Sequence, residues 1–310
     1  MSVAYISHAD CGRHDTGWGH PEHVGRLRAI PRALRDEAEL FHRVSHVEAR
    51  HAGEDEIALA HDRRYIAHLR DLITTAGSAR LDSDTVVSSG SWDAATAAAG
   101  AVLDGVDFAF APAGPRRSFC AVRPPGHHAL RDAAMGFCLL GNVAIGAHYA
   151  RSKHGALRVL IVDWDVHHGN GTQALVEHER DIRFVSMHQW PWYPGTGAAS
   201  DRGPHDNVWN VPMPANLPPE QYVDALLRAV DLAATGFTPD LVMISAGFDS
   251  LAGDPLGGFT LEYEHVEQLT RAVVERAESW CGGRVVSSLE GGYVPERLGV
   301  ACVRHLRALE

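Results

Sequence analysis

Five short apolar runs in this chain each end abruptly in a burst of ionisable or glycine-rich residues. "RSFCAV" leads into "RPPGHHA", "RVLIV" into "DWDVHHGNGT" and "IRFVSM" into "HQWPWYPGTG". "LVMISA" leads into "GFDSLAGDPLGG", and "RVVSSL" into "EGGY". Runs that are apolar throughout, without alternation, are strands buried on both faces. Between several of them lie segments of helical spacing, notably Pro219–Thr235 and Leu261–Trp280, the first opening on a Pro-Pro-Glu helix start. The pattern predicts an α/β fold with a mostly parallel sheet covered on both faces. Parallel strands bring their carboxyl ends to one edge, where open α/β sheets bind ligands, so the five bursts are expected to form one composite site. In the N-terminal third the sequence predicts a strand at Val3–Ile6, a helix from about Pro21 and another from about Gly90.

No linker, repeat or low-complexity tract divides the 310 residues, and a single domain over 1–310 is expected. A net charge of −11 argues against direct nucleic-acid binding and suits a cationic substrate. The five cysteines are scattered and without a CxxC, as in a protein with reduced structural thiols. The apolar stretch Ala94–Phe110 is short for a membrane span and is interrupted by Asp104 and Asp107. With no secretory signal evident, a cytoplasmic enzyme is expected.

Asp165 and His167 stand two residues apart just past a strand, so extended backbone directs both to one side. Asp249, ending "ISAGFD", offers a third donor from another strand end. Two carboxylates and one imidazole match a catalytic metal site in which three protein ligands leave a position for water. A lone Asp-x-His serves as readily as a helix cap or a simple pair; the carboxylate from a second strand brings the two readings level. His127 and His128 follow the stiff "RPPG" turn and suit an acid–base pair, with Asp163 and Asn170 as orienting partners. In isolation, two such neighbours read better as surface histidines. Tyr293, after two glycines, is either an oxyanion hydrogen-bond donor or a buried, satisfied phenol.

"RPPGHHA", "MGFC" (Met135–Cys138), "DWDVHHGNGT", "YPGTG", "AGFD" and "EGGY" occur in the order found in the histone deacetylase and acetylpolyamine amidohydrolase family. The chain resembles that family from "TGWGHPE" (Thr16–Glu22) to "EGGY", and most closely its bacterial, class II-like branch, because Asn170 stands where class I members carry aspartate. The resemblance implies the arginase–deacetylase fold, a three-layer α/β/α sandwich. It also implies that Asp165, His167 and Asp249 hold one catalytic zinc. His127 matches the histidine that bonds Asp163, and His128 the one paired with Asn170. Tyr293 matches the transition-state tyrosine. Asp163 and Ser186 match side chains around a structural potassium ion. Gly136 and Phe137 of "MGFC", with Tyr193, match the lining of an acyl-lysine tunnel. Gly169 and Gly171 are expected to let the backbone turn tightly around these groups.

A neutral amide partner leaves His128 neutral more readily than a carboxylate leaves His127. His128 is therefore assigned as general base and then acid, His127 as mainly electrostatic, and Tyr293 as sharing the oxyanion with zinc. Relatives that prefer acetylpolyamines can carry an acidic residue at the position of Leu256, so acyl-lysine peptides or proteins are the expected substrates and small acylated amines the alternative. Asp82 or Asp84 is expected to accept peptide N–H groups at the rim; the sequence does not choose between them. If another loop sets specificity, the segments around His8–Gly19 and Asp82–Ser91 are the candidates. A catalytically dead module would have lost Tyr293 or a ligand. A binuclear manganese hydrolase of the arginase type needs further carboxylate and histidine ligands. Oligomeric state is left open.

Overall fold

The structure is a computed structural model describing residues 3–310. Its strands are β1 (Val3–Ser7), β2 (Ser45–Glu48), β3 (Ser78–Arg80), β4 (Val86–Ser88), β5 (Arg117–Cys120), β6 (Val159–Asp163), β7 (Ile182–Gln189), β8 (Val208–Met213), β9 (Leu241–Ala246) and β10 (Val285–Leu289). Eight of them form one sheet in the order β2-β1-β5-β10-β9-β6-β7-β8, parallel at every pairing. The sheet is thus wholly parallel rather than mostly so. The short pair β3–β4 is antiparallel and separate.

Successive residues of each strand enter opposite faces. Leu160, Val162, Val242 and Ile244 join a core built with the helices Gly25–Asp36, Pro219–Ala234, Tyr263–Cys281 and Pro295–Leu309. Val159, Ile161, Leu241 and Met243 join the opposite core, with helices Arg63–Ala76, Ser91–Phe110 and Asn142–His154. This is the three-layer α/β/α sandwich. The apolar stretch Ala94–Phe110 lies within the alanine-rich helix Ser91–Phe110, whose small side chains are almost all buried in that second core. Asp104, one of its interruptions, accepts a hydrogen bond from the Arg50 amide at 2.9 Å. No helix among the described residues is long and apolar enough to cross a membrane.

The two sheet strands that the apolar pattern does not reveal, β2 and β8, are the two edges. The "SHVE" of β2 is half exposed, and β8 carries Pro212, which lacks the amide a central strand needs. The helix expected from Pro21 begins at Gly25 instead. Before it, Thr16 Oγ1 donates to the Glu22 carbonyl at 2.7 Å, and the Glu22 amide donates to His20 Nδ1 at 3.1 Å, which holds the backbone in turns. Within the sheet β5, β10, β9, β6 and β7 are contiguous, so the five polar bursts converge at its carboxyl edge.

Candidate functional site

Asp163 closes β6, and its Oδ1 accepts the Asp165 amide at 3.0 Å. Asp165 Oδ1 accepts the His167 amide at 3.0 Å, and its Oδ2 accepts the Gly291 amide at 2.8 Å from the loop after β10. Asp249, past the end of β9, accepts the Val166 amide at 2.9 Å through Oδ1. These backbone donors hold the carboxylates in place. Asp165, His167 and Asp249 are all buried, and one donor atom from each lies within 4.8 Å of the others. His167 Nδ1 is 3.0 Å from Asp165 Oδ1 and 3.3 Å from Asp249 Oδ2, an oxygen with no hydrogen-bond partner.

The electrostatics suit a cation. Burial, with Asp165 alongside, pushes the Asp249 carboxyl up to about 7. Burial alone would lower His167, but Asp165 and Asp249 override it and raise the imidazole to about 10. Desolvated carboxylates in contact demand positive charge, and two carboxylates with one imidazole form a donor set for a zinc-class ion.

The two expected histidine partnerships are present. His127 Nδ1 lies 3.1 Å from Asp163 Oδ2, and His128 Nδ1 lies 2.7 Å from Asn170 Oδ1. Burial disfavours charge on both rings, and their surroundings then divide them. Asp165 and Asp163 overcome desolvation at His127 and raise it to about 10. At His128 desolvation is reinforced by His127 and His167, which hold it well below the ordinary histidine range. The surroundings thus favour the charged form of His127 and the neutral form of His128.

Tyr193 packs edge-on against His128 and His167, with ring centroids 5.1 and 5.9 Å away. Phe137 packs against Tyr293 at 5.9 Å and His20 at 4.8 Å. Between His128 and Tyr193 runs Gly136, at φ +55°; a Cβ there would sit 2.5 Å from His128 Cδ2 and 3.0 Å from Tyr193 Oη. Tyr293 lies beneath the Arg26 guanidinium, 5.0 Å from the ring centroid, and lines a cavity of about 960 Å³ with Trp18, His20 and Pro255. The later part of the segment His8–Gly19, from Gly12 onward, therefore does reach the site. Leu256 donates its amide to Asp254 Oδ1 at 2.9 Å, and its carbonyl accepts from Trp192 Nε1 at 2.8 Å.

Two expectations need refinement. Asp82 Oδ1 is occupied by the amides of Asp84 at 2.9 Å and Thr85 at 2.6 Å, so Asp82 braces its own loop. The Asp84 carboxylate has only the Thr85 hydroxyl, at 3.3 Å, and is the one left for a rim contact. Gly169 and Gly171 are not at positive φ; they are needed for space, since a Cβ on Gly171 would lie 2.4 Å from the Ala129 carbonyl oxygen. Ser186 stands opposite Asp163 in the β6–β7 register, with its hydroxyl 3.0 Å from His188 Nδ1.

Other residues of the site escape a reading by motif role. Glu290 of "EGGY" is fully buried, and its Oε2 accepts the amides of Gly126 at 2.7 Å and His127 at 3.1 Å. Glu22, Arg26 and Arg123 form a buried cluster: Arg123 grips Glu22 with two bonds of 2.7 Å, and Arg26 Nε donates to the Gly292 carbonyl at 2.6 Å. Asp254 holds the Tyr293 amide at 2.7 Å as well as that of Leu256. The available signal was their position within or beside the motifs.

Fold and site together define a metal-dependent hydrolase assembled at the carboxyl edge of a parallel sheet. A family model described as "Histone deacetylase domain" matches residues 20–309. "Uncharacterized protein slr0245" of Synechocystis sp. is 43% identical over 310 residues, covering 99% of both chains. "Polyamine deacetylase HDAC10" of Homo sapiens is 37% identical over 321 residues, covering 96% of this chain and 46% of that protein. The solved structure described as "Crystal Structure of HDA15 HD domain" superposes with a TM-score of 0.92 at 34% identity, over 99% of this chain and 88% of the other. The chain belongs to the histone deacetylase family and is a deacetylase hydrolase, with the metal dependence typical of that family.

Proposed function

We propose that this protein hydrolyses the amide of acylated lysine side chains, acetyl-lysine foremost, using the whole of 1–310 as one domain. The observation that carries the reading is the paired environment of His127 and His128 beside Asp165, His167 and Asp249. Asp165, His167 and Asp249 would hold a zinc ion, which would supply Lewis acidity toward the acyl carbonyl and the attacking water. His128, kept neutral, accepts the proton of the attacking water at Nε2 and delivers it to the leaving amine. Asn170 accepts from His128 Nδ1 and so fixes the tautomer that leaves Nε2 free. His127, held charged against Asp163, stabilises negative charge as it develops. The Tyr293 hydroxyl donates to the same oxyanion. Phe137, Gly136 and Tyr193 bound the path of the aliphatic stem, and Asp84 accepts from substrate backbone at the rim.

Asp163 and Ser186, adjacent in register, are proposed to contribute to a structural potassium site. A cytoplasmic location accords with five cysteines that are all buried and unbridged. Acetylpolyamines are the second reading, favoured by the 37% identity to a protein named as a polyamine deacetylase. Against it, Leu256 offers a distal ammonium no charge. The test is one preparation assayed on acyl-lysine peptides and acylated polyamines together. The reading requires higher kcat/KM for acetyl-lysine peptides, and a clear preference for acetylspermidine overturns it.

A further inference from the structure

Outside the catalytic centre, the ends of β1 and β2 bring two imidazoles and a carboxylate together. His8 follows β1, Asp10 lies in the short 3₁₀ turn Ala9–Arg13, and His51 comes just after β2. One donor atom from each falls within 4.8 Å of the others. Asp10 Oδ2 lies 3.2 Å from His51 Nε2 and 3.7 Å from His8 Nδ1. Bonds of roughly 2.0–2.2 Å from a tetrahedral zinc put its ligands about 3.3–3.5 Å apart, and the two observed separations bracket that spacing.

Neighbouring hydrogen bonds orient the two rings. The Thr96 hydroxyl has the Trp92 carbonyl at 3.0 Å and the Asp93 carbonyl at 3.1 Å as acceptors for its single proton. His51 Nδ1 lies 2.8 Å from that hydroxyl oxygen, which leaves Nε2 as the ring nitrogen that faces Asp10. The Asp10 amide donates to His8 Nδ1 at 3.0 Å, which leaves that nitrogen unprotonated and puts the His8 proton on Nε2, 4.0 Å from Glu48 Oε1. Arg13 pins the other Asp10 oxygen at 3.2 Å, fixing the carboxylate. The two imidazoles and the Asp10 carboxylate together form a donor set that suits a zinc-class cation.

We propose that His8, Asp10 and His51 bind a second divalent transition-metal ion of the zinc class. Bound there, the ion clasps β1, β2 and, through Thr96, the helix Ser91–Phe110. It also anchors the turn that leads into the Trp18 loop at the mouth of the cavity. The site is independent of the deacetylase reading, because none of its residues belongs to the catalytic set.

The test is a Zn²⁺ titration of tag-free, metal-replete protein by calorimetry, with metal content measured by mass spectrometry. Wild type should take up one further Zn²⁺ per chain, and its Tm should rise by about 4 °C at a hundredfold excess over Kd. His51→Ala and His8→Ala should weaken this uptake by more than about tenfold and lose the Tm rise, with deacetylase turnover unchanged. His51 is 42% exposed, so its removal leaves the fold intact. Asp249→Asn, which empties the catalytic centre, should keep the peripheral uptake, and this separates failure of the two sites. No uptake beyond the catalytic ion, or equal uptake by His51→Ala, overturns the proposal.

Discussion

Gly136→Ala probes how closely His128, the proposed catalytic base, is positioned. The added Cβ would lie 2.5 Å from His128 Cδ2, where ordinary contact begins at 3.4 Å. Opposite it the Tyr193 hydroxyl, 3.0 Å from the same point, closes the other escape. His128 must therefore move by about 0.9 Å, stretching its 2.7 Å bond to Asn170, and a misplacement near 1 Å costs on the order of 10² in rate. The positive φ adds backbone strain of roughly 1–2 kcal/mol, which lowers stability without touching the chemistry. Gly155→Ala separates the two effects: Gly155 has φ +66° with nothing within 4 Å of its added Cβ, and it ends the helix Asn142–His154. Both variants should lose a similar amount of stability in thermal melts. Only Gly136→Ala should lose about a hundredfold in kcat on an acetyl-lysine peptide, at unchanged zinc content. A Gly136→Ala enzyme within a few-fold of wild type would show that the His128 position is not critical.

Asp165→Asn or Asp249→Asn should lose bound metal and turnover together while circular dichroism reports an intact sheet; full activity at normal metal content would refute the ligand set. Tyr293→Phe should cut kcat by on the order of 10²–10³ with little change in KM, and an unchanged kcat would make this tyrosine structural. Asn170→Asp places a carboxylate 2.7 Å from His128 Nδ1 and stabilises its protonated form, so the His128 pKa rises. Because the base works deprotonated, the acidic limb of kcat/KM against pH should move to higher pH; an unmoved limb rules out His128 as base. Leu256→Glu should shift the kcat/KM ratio toward acetylspermidine by roughly tenfold, about 1–2 kcal/mol, chiefly at low salt. A ratio that stays put would transfer specificity to the Trp18 loop or the Asp82–Ser91 segment.

The central strands were legible because burial on both faces forces a continuous apolar run, a local property of composition. The candidate metal donors and the histidine partnerships lie within short motifs just past such runs, where the family resemblance picks them out. The edge strands β2 and β8 were not legible, because an edge tolerates exposed residues and proline and shows no such pattern. Only the tertiary structure shows that the loop amides bond the Asp82 carboxylate rather than that of Asp84. It alone brought Glu22, 101 residues from Arg123 in sequence, into a buried ion cluster that carries the Tyr293 loop through Arg26. It alone joined His8 to His51 across two strand ends. Motif and burial are written locally along the chain. Which hydrogen bonds are already taken, and which charges meet, depends on strand order, and in a parallel sheet neighbours are set by crossovers that no short stretch of sequence contains.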